Sequence, residues 1–308
     1  MLQTTVIDID PDLLRKSAEA QVHAATEGLN HVAMEQTGHV PTILETLVSR
    51  GPWAWAIMMI PQPDGSIVLP VQTTFEAIEE IYTQIRGHSD ILAASPVVEV
   101  NGTWYSMLEA FATAQVKETG DVGEYEMVLV LPVTNGPGIT GELCWIKMDR
   151  RTLGKDLPLA EPKSSAEIRK HLLGLHDQLM ESLRANDAEA LVELFSPGCQ
   201  CAIRDYVADT GTITGLDDVS GLREHYLAFF EQYEVRSVDL LQRVVQDWYL
   251  FAELRIEVSA RSTLDRKRLA FHTATILVPG KEDRFIVQIG HGTDLSQPSG
   301  DSDSGVPD

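Results

Sequence analysis

Residues 166–207 read AEIRKHLLGLHDQLMESLRANDAEALVELFSPGCQCAIRDYV, and this stretch decides the fold. Its first twenty residues carry apolar side chains at helical spacing, namely Ile168, Leu172, Leu175, Leu179 and Leu183. Asn186 and Asp187 separate this helix from a short second one, which Pro197 and Gly198 stop. The segment CQCAIRDYV then has the composition of a strand. The stretch therefore predicts a pair of helices that leads into a strand.

The remainder of this half predicts one more helix and a sheet. After a glycine-rich turn at 211–215, an amphipathic helix is expected from about 217 to 232. Alternating strands follow at about 235–246, 247–260, 267–279 and 283–293, joined by short turns. Such a run of hairpins is typical of an antiparallel meander. A curved antiparallel sheet closed by helices on its concave side forms a cone around one apolar pocket.

The first half of the chain repeats features of the second at a nearly constant offset. Trp104-Tyr105 with Glu109 recurs as Trp248-Tyr249 with Glu253, 144 residues later. Three further matches have offsets of 145 to 147 residues: Pro52 with Pro197, Pro132 with Pro279, and Asp149 with Asp294. Because these matches occur in one order with little drift, they indicate an internal duplication.

The predicted elements of the first half agree with a duplication. Helices are expected at 12–35, 40–49 and 73–86, and strands at 53–60, 91–100, 103–117, 124–134 and 139–148. We therefore expect an α+β protein of two tandem cone-shaped domains, each with the order ααββαββββ. The expected boundaries are 1–152 for the first domain, 153–163 for a linker, 164–295 for the second domain and 296–308 for a disordered acidic tail.

Composition narrows the range of partners. The 308 residues include 24 Lys and Arg against 46 Asp and Glu, a net charge of -22. Residues 1–155 and residues 156–308 each carry -11 of it. A chain this acidic, without a basic stripe, is not expected to bind nucleic acid or an anionic membrane surface. With no signal sequence or long apolar run at its start, we expect a cytoplasmic protein.

Cysteines and short motifs give no sign of a cofactor. Cys144, Cys199 and Cys201 are too few for a disulfide framework or a four-ligand zinc site, so we expect reduced, buried thiols. The sequence also lacks a glycine-rich phosphate loop and the His-Glu-x-x-His motif. We expect neither a metal nor an organic cofactor.

The second half resembles the nuclear-transport-factor-2-like superfamily, in particular its SnoaL-like and ketosteroid-isomerase-like branch. The resemblance rests on NDAEALVELFSPGCQCAIRDYV, on GLDDVSGLREHYLAFFEQY and on the final strands ending in RFIVQIGHGTD, and it extends more faintly to 11–150. It implies isomerase, dehydratase, polyketide cyclase or epoxide hydrolase chemistry, or a non-catalytic binding or dimerisation module. Because a fold does not fix a function, the resemblance does not choose among these.

Tandem copies in one chain are also similar to polyether-forming epoxide hydrolases. Since single-copy relatives commonly dimerise through the outer face of the sheet, the resemblance implies a pseudo-dimer within the chain, with further homo-oligomerisation left open.

Asp205 is the first candidate for chemistry. In CQCAIRDYV, strand alternation places it on one face with Cys199, Cys201 and Ile203. A carboxylate on an apolar face is costly unless it is paired or functional. The resemblance implies a catalytic acid at this strand position. The alternatives are a frayed strand end or a structural ion pair with an arginine.

Two histidines are expected to complete a proton-transfer pair with Asp205. His272 shares a strand face with Ala270, Ala274 and Ile276, and His291 ends the last strand in phase with Ile289, so we expect both to point into the cone. Scytalone-dehydratase-like relatives, in which an aspartate orients a histidine, imply a dyad of Asp205 with one of them. The alternative is that each histidine is a hydrogen-bonded core residue.

Aromatic residues are the candidates for binding substrate. Tyr206, Tyr226 and Tyr249 are expected to donate hydroxyl hydrogen bonds to an oxyanion, and Trp248 is expected to contact substrate. Each of them is also a common strand or core residue. Glu109 and Glu253 are expected on an inter-domain sheet face or in solvent.

The first domain is expected to be degenerate. At an offset of 145, Asp205 corresponds to Ile60, and no acid-base set appears at the matching positions. We therefore expect the second domain to hold the active pocket. The predicted function is cofactor-independent acid-base proton transfer on a small hydrophobic oxygenated molecule. The alternative is a non-catalytic small-molecule-binding or protein-interaction module of the same fold.

Overall fold

The structure is a computed structural model that describes residues 11–47, 55–58, 60–61, 67–133, 136–147, 163–204, 213–261 and 268–294. The chain divides into two compact units. The first unit comprises 1–56 with 74–144, and the second comprises 57–73 with 145–308. The predicted tail lies outside the described residues, and so does the predicted linker apart from Lys163.

The first half of the chain contains three helices and eight strands among its described residues. The helices are α1 (Pro11–Gln36), α2 (Val40–Leu44) and α3 (Phe75–His88). The short strands are β1 (Trp55–Met58), β2 (Ile60–Pro61), β3 (Ile67–Val68) and β4 (Val71–Gln72). The longer strands are β5 (Ser89–Asn101), β6 (Tyr105–Val116), β7 (Val122–Pro132) and β8 (Gly141–Ile146).

The second half has the same succession of long elements. Its helices are α4 (Ser165–Ala185), α5 (Ala188–Val192) and α6 (Val219–Gln232). Its strands are β9 (Phe195–Arg204), β10 (Ile213–Leu216), β11 (Tyr233–Val245), β12 (Leu250–Ala260), β13 (Arg268–Pro279) and β14 (Phe285–Asp294). In each half, a long helix, a short helix, a third helix and four long strands therefore follow the predicted order, with boundaries close to those predicted.

Two six-stranded sheets have matching strand orders, β4-β1-β8-β7-β6-β5 and β10-β9-β14-β13-β12-β11. Strands β11 to β14 form the predicted antiparallel meander. One pair departs from it, because β14 runs parallel to β9. A parallel neighbour requires a long connection, and α6 with the meander supplies it.

The register of the long hairpins also repeats. The β5–β6 pairing shifts between Ile91 and Ala93, and the β11–β12 pairing shifts between Val235 and Ser237, 144 residues later. A second shift follows in each hairpin, after Pro96 and after Leu240, again at an offset of 144. Bulges bend a strand and increase its twist, so both sheets are curved at equivalent places.

Local sequence signals explain the helix boundaries of the second half. Ser164 caps α4, and its side chain and that of Glu167 form a capping box. Asn186 ends α4 in the left-handed conformation, with φ of 56°. Asp187 then caps α5 by accepting a hydrogen bond from the Ala190 amide.

The predicted start of β9 is wrong. The strand begins at Phe195, so Pro197 and Gly198 lie inside it and do not precede it. Phe195 pairs with Phe285, and the register shifts before the next pair, Val287 with Gln200. Proline lacks an amide proton and cannot donate a hydrogen bond to a neighbouring strand. Because the register shifts around Pro197, no such hydrogen bond is required of it. Part of the predicted 211–215 turn is strand β10.

The core of the second unit lies between its helices and the concave side of the sheet. Side chains from α4, α5 and α6 pack there against those of β11, β12 and β13. All three cysteines are buried and reduced, as predicted. Among the described helices, none combines the length and the apolar character needed to cross a membrane.

Gly28 and Gly174 give a matched test of helix packing. A Cβ added at Gly28, in α1, would lie 2.6 Å from the Ser106 Cβ, whereas one added at Gly174, in α4, meets nothing within 4 Å. We expect Gly174→Ala to stabilise by about 0.5–1 kcal/mol, because alanine is the better helix former. Gly28→Ala should instead destabilise by about 1–3 kcal/mol, because overpacking outweighs that gain. Differential scanning calorimetry compares them, and equal effects would contradict the close approach.

Candidate functional site

The second unit contains a cavity of about 80 Å³ between α4, α6 and the concave side of its sheet. A cavity that holds one water molecule needs roughly 10–15 Å³, so there is room for several. The apolar lining residues are Leu179, Leu183, Ile203, Phe229, Ala252, Leu254, Ile256, Phe271 and Leu277. The others are His176, His225, Tyr226, Thr273, Thr275, Gln288 and Gly290. The cavity is therefore mainly apolar with a few polar groups.

His176 projects from α4 and is 1% exposed. Its Nδ1 atom lies 3.2 Å from Arg243 Nη1, which in turn lies 2.6 Å from Asp177 Oδ1. Because a guanidinium only donates hydrogen bonds, Nδ1 must accept, which places the imidazole proton on Nε2. Burial, followed by the Arg243 charge, lowers the pKa of His176 to about 4, although Asp177 opposes this shift. His176 is therefore a neutral donor at neutral pH.

Gln288 supplies an acceptor on the opposite wall. Its side chain is 7% exposed, and its Nε2 donates to the Tyr226 hydroxyl at 3.2 Å. Its Oε1 is buried and has no hydrogen-bond partner among the described residues. His176 Nε2 also has no hydrogen-bond partner in that part of the chain. Leaving a buried polar atom unpaired costs about 1–3 kcal/mol, so both atoms are suited to a ligand.

The predicted alternation of β9 holds where the strand is described. Cys199 and Cys201 lie in the core, and Ile203 lines the cavity. Asp205 and Tyr206 lie outside the described residues. Tyr226 lines the cavity, as its predicted role in substrate binding requires.

The predicted inward orientation of His272 is wrong. On β13, the cavity is lined by Phe271, Thr273, Thr275 and Leu277. Strand side chains alternate between faces, so His272 lies on the other face. There its Nδ1 is 2.9 Å from Glu253 Oε1. The carboxylate partner of His272 is thus Glu253. The sequence predicts that Glu253 lies on an inter-domain sheet face or in solvent. Because Glu253 is only 4% exposed, the prediction that it lies in solvent is wrong.

The pairing of β14 with β13 gives the backbone position of His291. Position 291 pairs with Ala274, two residues from His272 on the same face of β13. On β14, the cavity is lined by Gln288 and Gly290, which alternate with position 291. The side chain of His291 lies outside what the structure describes, so its predicted inward orientation stays a prediction.

Trp248 and Tyr249 form the turn between β11 and β12. Their rings meet edge to face with centroids 4.6 Å apart, and the Gln246 amide donates to the Tyr249 carbonyl at 2.9 Å. Neither residue is among the described lining of the cavity. Trp104 and Tyr105 have the same edge-to-face geometry, at 5.0 Å. The repeated Trp-Tyr pair therefore closes a hairpin, and its substrate-binding role stays a prediction.

Sequence reasoning missed two polar residues that line the cavity, His176 and Gln288. His176 follows Leu172 by four residues and precedes Leu179 by three, so helical periodicity already puts it on the buried face. Gln288 is a polar residue within the apolar strand segment FIVQI. A search for polar residues in apolar phase, made on helices as well as on strands, would have found both.

The first unit has an ionisable cluster that the sequence did not predict. His31 and Glu35 come from α1, Tyr82 and Arg86 from α3, and Glu142 from β8. All five are buried, with exposures of 0% to 5%. None of the five lies at a position that matches Asp205, His272 or His291 at the repeat offset, so the cluster is separate from the acid-base set that was expected to be missing there.

Hydrogen bonding fixes the protons around His31. The Thr46 hydroxyl donates to the Ile43 carbonyl at 2.6 Å, so it accepts from His31 Nδ1, also at 2.6 Å. The Tyr82 hydroxyl donates to Glu142 Oε2 at 2.5 Å, so it accepts from His31 Nε2 at 3.2 Å. Since a hydroxyl has one proton to donate, both nitrogens of His31 must donate. His31 is therefore an imidazolium.

The electrostatics of the cluster agree with this assignment. Burial alone lowers the pKa of His31, but the carboxylates of Glu142 and Glu35 outweigh it and raise the pKa above its ordinary value. Burial, with the nearby Glu142 charge, raises the pKa of Glu35 to about 7, although His31 and Arg86 oppose the shift. Glu35 therefore changes its charge near neutral pH.

The cluster does not fit a divalent metal ion. His31, Glu35 and Glu142 present ligand atoms within 4.8 Å of one another. A metal ion would have to displace a proton from His31 and break its hydrogen bond to Thr46 or to Tyr82. Arg86 Nη2, at 3.3 Å from Glu35 Oε1, already supplies a second positive charge.

Comparison with known proteins finds likenesses of structure only. No family model and no curated protein matches the chain. A ketosteroid isomerase-like protein from Erwinia carotovora atroseptica is 12% identical, with TM-score 0.34, covering 42% of this chain and 98% of its own. A protein assigned as a SnoaL-like polyketide cyclase from Jannaschia is 10% identical, with TM-score 0.35, at 43% and 91% coverage.

An epoxide hydrolase/cyclase-like enzyme in pyran ring formation of the polyether salinomycin is 13% identical, with TM-score 0.33, covering 42% of this chain and 92% of its own. Each likeness covers about two fifths of the chain, and the function proposed below rests on the geometry of the cavity.

The pKa of Glu35 predicts a pH-dependent stability. A glutamate that keeps its proton in the folded state up to about pH 7, but loses it near its ordinary pKa when unfolded, reduces stability as pH rises between those values. Relative to wild type, Glu35→Gln should therefore gain about 2 kcal/mol between pH 5 and pH 8. Urea unfolding at several pH values measures the gain.

The matched control for this experiment is Glu19→Gln, since the Glu19 side chain is 62% exposed. It should follow wild type at every pH. Parallel pH profiles for Glu35→Gln and wild type would contradict the raised pKa of Glu35.

Proposed function

We propose that the second unit binds a small, mainly apolar molecule with a carbonyl group and transfers a proton on it without a cofactor. One observation carries the proposal: an apolar cavity is lined by His176 and Gln288, whose Nε2 donor and Oε1 acceptor have no hydrogen-bond partner among the described residues. Apolar walls with few oriented polar groups are typical of small-molecule sites.

The size of the cavity limits the ligand. A cavity of about 150 Å³ holds benzene, and the cavity here is about 80 Å³. The site as it stands is therefore smaller than a cavity that holds benzene, and a single five-membered ring is the largest occupant that a small movement of its walls would admit. A polycyclic steroid or polyketide would require its walls to move.

The chemistry we propose is proton abstraction next to the carbonyl. A carboxylate takes a proton from the α-carbon, the electron pair moves to the carbonyl oxygen, and the resulting oxyanion accepts a hydrogen bond from His176 Nε2. The proton then returns to carbon. A neutral imidazole is suited to this role because it donates without giving up its proton.

Asp205 is the base in this proposal. It follows the cavity-lining Ile203 by two residues in the sequence, which is the period of a strand. An apolar cavity would raise the pKa of such a carboxylate toward neutrality and so make it a better base.

A non-catalytic binding module is the second candidate. The observation in its favour is that the described residues lining the cavity include no carboxylate. On this reading, His176 and Gln288 orient a ligand, and no bond changes.

Binding is tested with cyclopentanone, a five-membered ring with one carbonyl. Ligand-observed NMR should show saturable binding to wild type. Loss of the Nε2 donor in His176→Phe should weaken binding about 3- to 10-fold, the value of one hydrogen bond. The control is His171→Phe on the same helix, because His171 is not among the residues that line this cavity. Equal affinities for the two variants would refute the proposed donor.

Catalysis is tested by deuterium exchange into the α-position of cyclopentanone in D2O. Wild type should accelerate the exchange, and Asp205→Asn should reduce that rate about 100-fold or more while binding persists. Asp239→Asn, an exposed aspartate on β11, is the control. Binding without accelerated exchange would reject the enzyme and favour the binding module.

A further inference from the structure

The buried guanidinium of Arg86 in the first unit has unused hydrogen-bonding capacity. Arg86 is 4% exposed, and among the described residues only its Nη2 has a partner, Glu35 Oε1 at 3.3 Å. Its Nε and Nη1 are buried without a hydrogen-bond partner among the described residues. Buried arginines are normally paired, because an unpaired buried charge is costly.

The charge of the surrounding cluster is also unbalanced. His31 donates from both nitrogens and is positive, as is Arg86, whereas Glu142 accepts the Tyr82 proton and is negative. Glu35 is the remaining member. When Glu35 carries a proton, the four ionisable groups sum to one positive charge.

We propose that the interior of the first unit binds a small monoanionic oxyanion of the carboxylate class against the Nε and Nη1 groups of Arg86. A water molecule would satisfy the two donors but would leave the charge unbalanced. A carboxylate supplies both acceptors and the missing negative charge. A metal ion would add positive charge beside two cations.

Binding of the anion is coupled to a proton on Glu35. A negative ligand beside Arg86 disfavours ionisation of Glu35, and protonated Glu35 changes from a competing acceptor into a donor toward the ligand. The other titratable groups that interact with the cluster are Tyr82 on α3, Tyr125 on β7 and Cys144 on β8. Burial raises the pKa of all three, in the case of Tyr125 to about 12, so they remain neutral.

The test uses the full chain labelled with ¹⁵N-arginine and sodium formate as the probe. Formate replaces chloride at constant ionic strength while the arginine Nε–H resonances are recorded. One resonance, absent in Arg86→Lys, should shift and saturate. Above pH 7 the formate Kd should increase about tenfold per pH unit in wild type, because each bound anion requires one proton.

Two variants separate the contributions. Glu35→Gln keeps the donors of Arg86 but cannot titrate, so its formate Kd should be independent of pH. This variant also shifts the resonance of the neighbouring Arg86, which provides the assignment if Arg86→Lys does not fold. Arg15→Lys, on the exposed part of α1, should behave as wild type.

Three results would overturn the proposal. The first is that formate causes no saturable shift of the Arg86 resonance. The second is that the formate Kd of Glu35→Gln depends on pH as it does in wild type. The third is that the Arg86 resonance responds to zinc or manganese but not to formate. The third result would favour a metal site at His31, Glu35 and Glu142.

Discussion

The pairing register of β11 with β12 determines which side chains reach the cavity of the second unit. A hydrogen bond from the Gln246 amide to the Tyr249 carbonyl closes this hairpin, and two bulges set its curvature. From β12 the register passes to β13 and then to β14. Because strand side chains alternate, a slip of one residue would exchange every inward group for an outward one. This register is the reason that Gln288 lines the cavity, whereas Glu253 and His272 do not.

Most of the fold follows from patterns that a single sequence carries. The apolar spacing of α4, the capping residues Ser164 and Asp187, and the alternation of the long strands all act over a few residues. The matching helices α3 and α6 begin 144 residues apart, at Phe75 and Val219, as the sequence repeat implied. Local rules were enough here because each element buries one regular face.

The site was harder to predict because it depends on which of two buried faces a residue occupies. Ala274 and Ile276 are fully buried on β13, and so are their neighbours Leu277 and Val278, so hydrophobicity does not distinguish inside from outside. His272 was assigned to the wrong face for this reason. The cluster in the first unit joins His31 to Glu142 across more than a hundred residues, and no local pattern records such a pairing.

The two units thus place polar groups in opposite ways within matching frameworks. In the second unit, neutral groups face an apolar cavity. In the first unit, charged groups from α1, α3 and β8 form a compact buried network. A framework fixed by hairpins and bulges leaves its interior side chains free to differ, and this separation allows one fold to carry unlike chemistry.

The hairpin loops show where this framework accepts a change in length. Strands β6 and β12 end 144 residues apart, at Val116 and Ala260, whereas β7 and β13 begin 146 apart, at Val122 and Arg268. The two extra residues therefore lie in the connection between β12 and β13. A loop whose length already differs between equivalent hairpins is a natural point for inserting a fluorophore or an affinity tag, since the strands on either side keep their register.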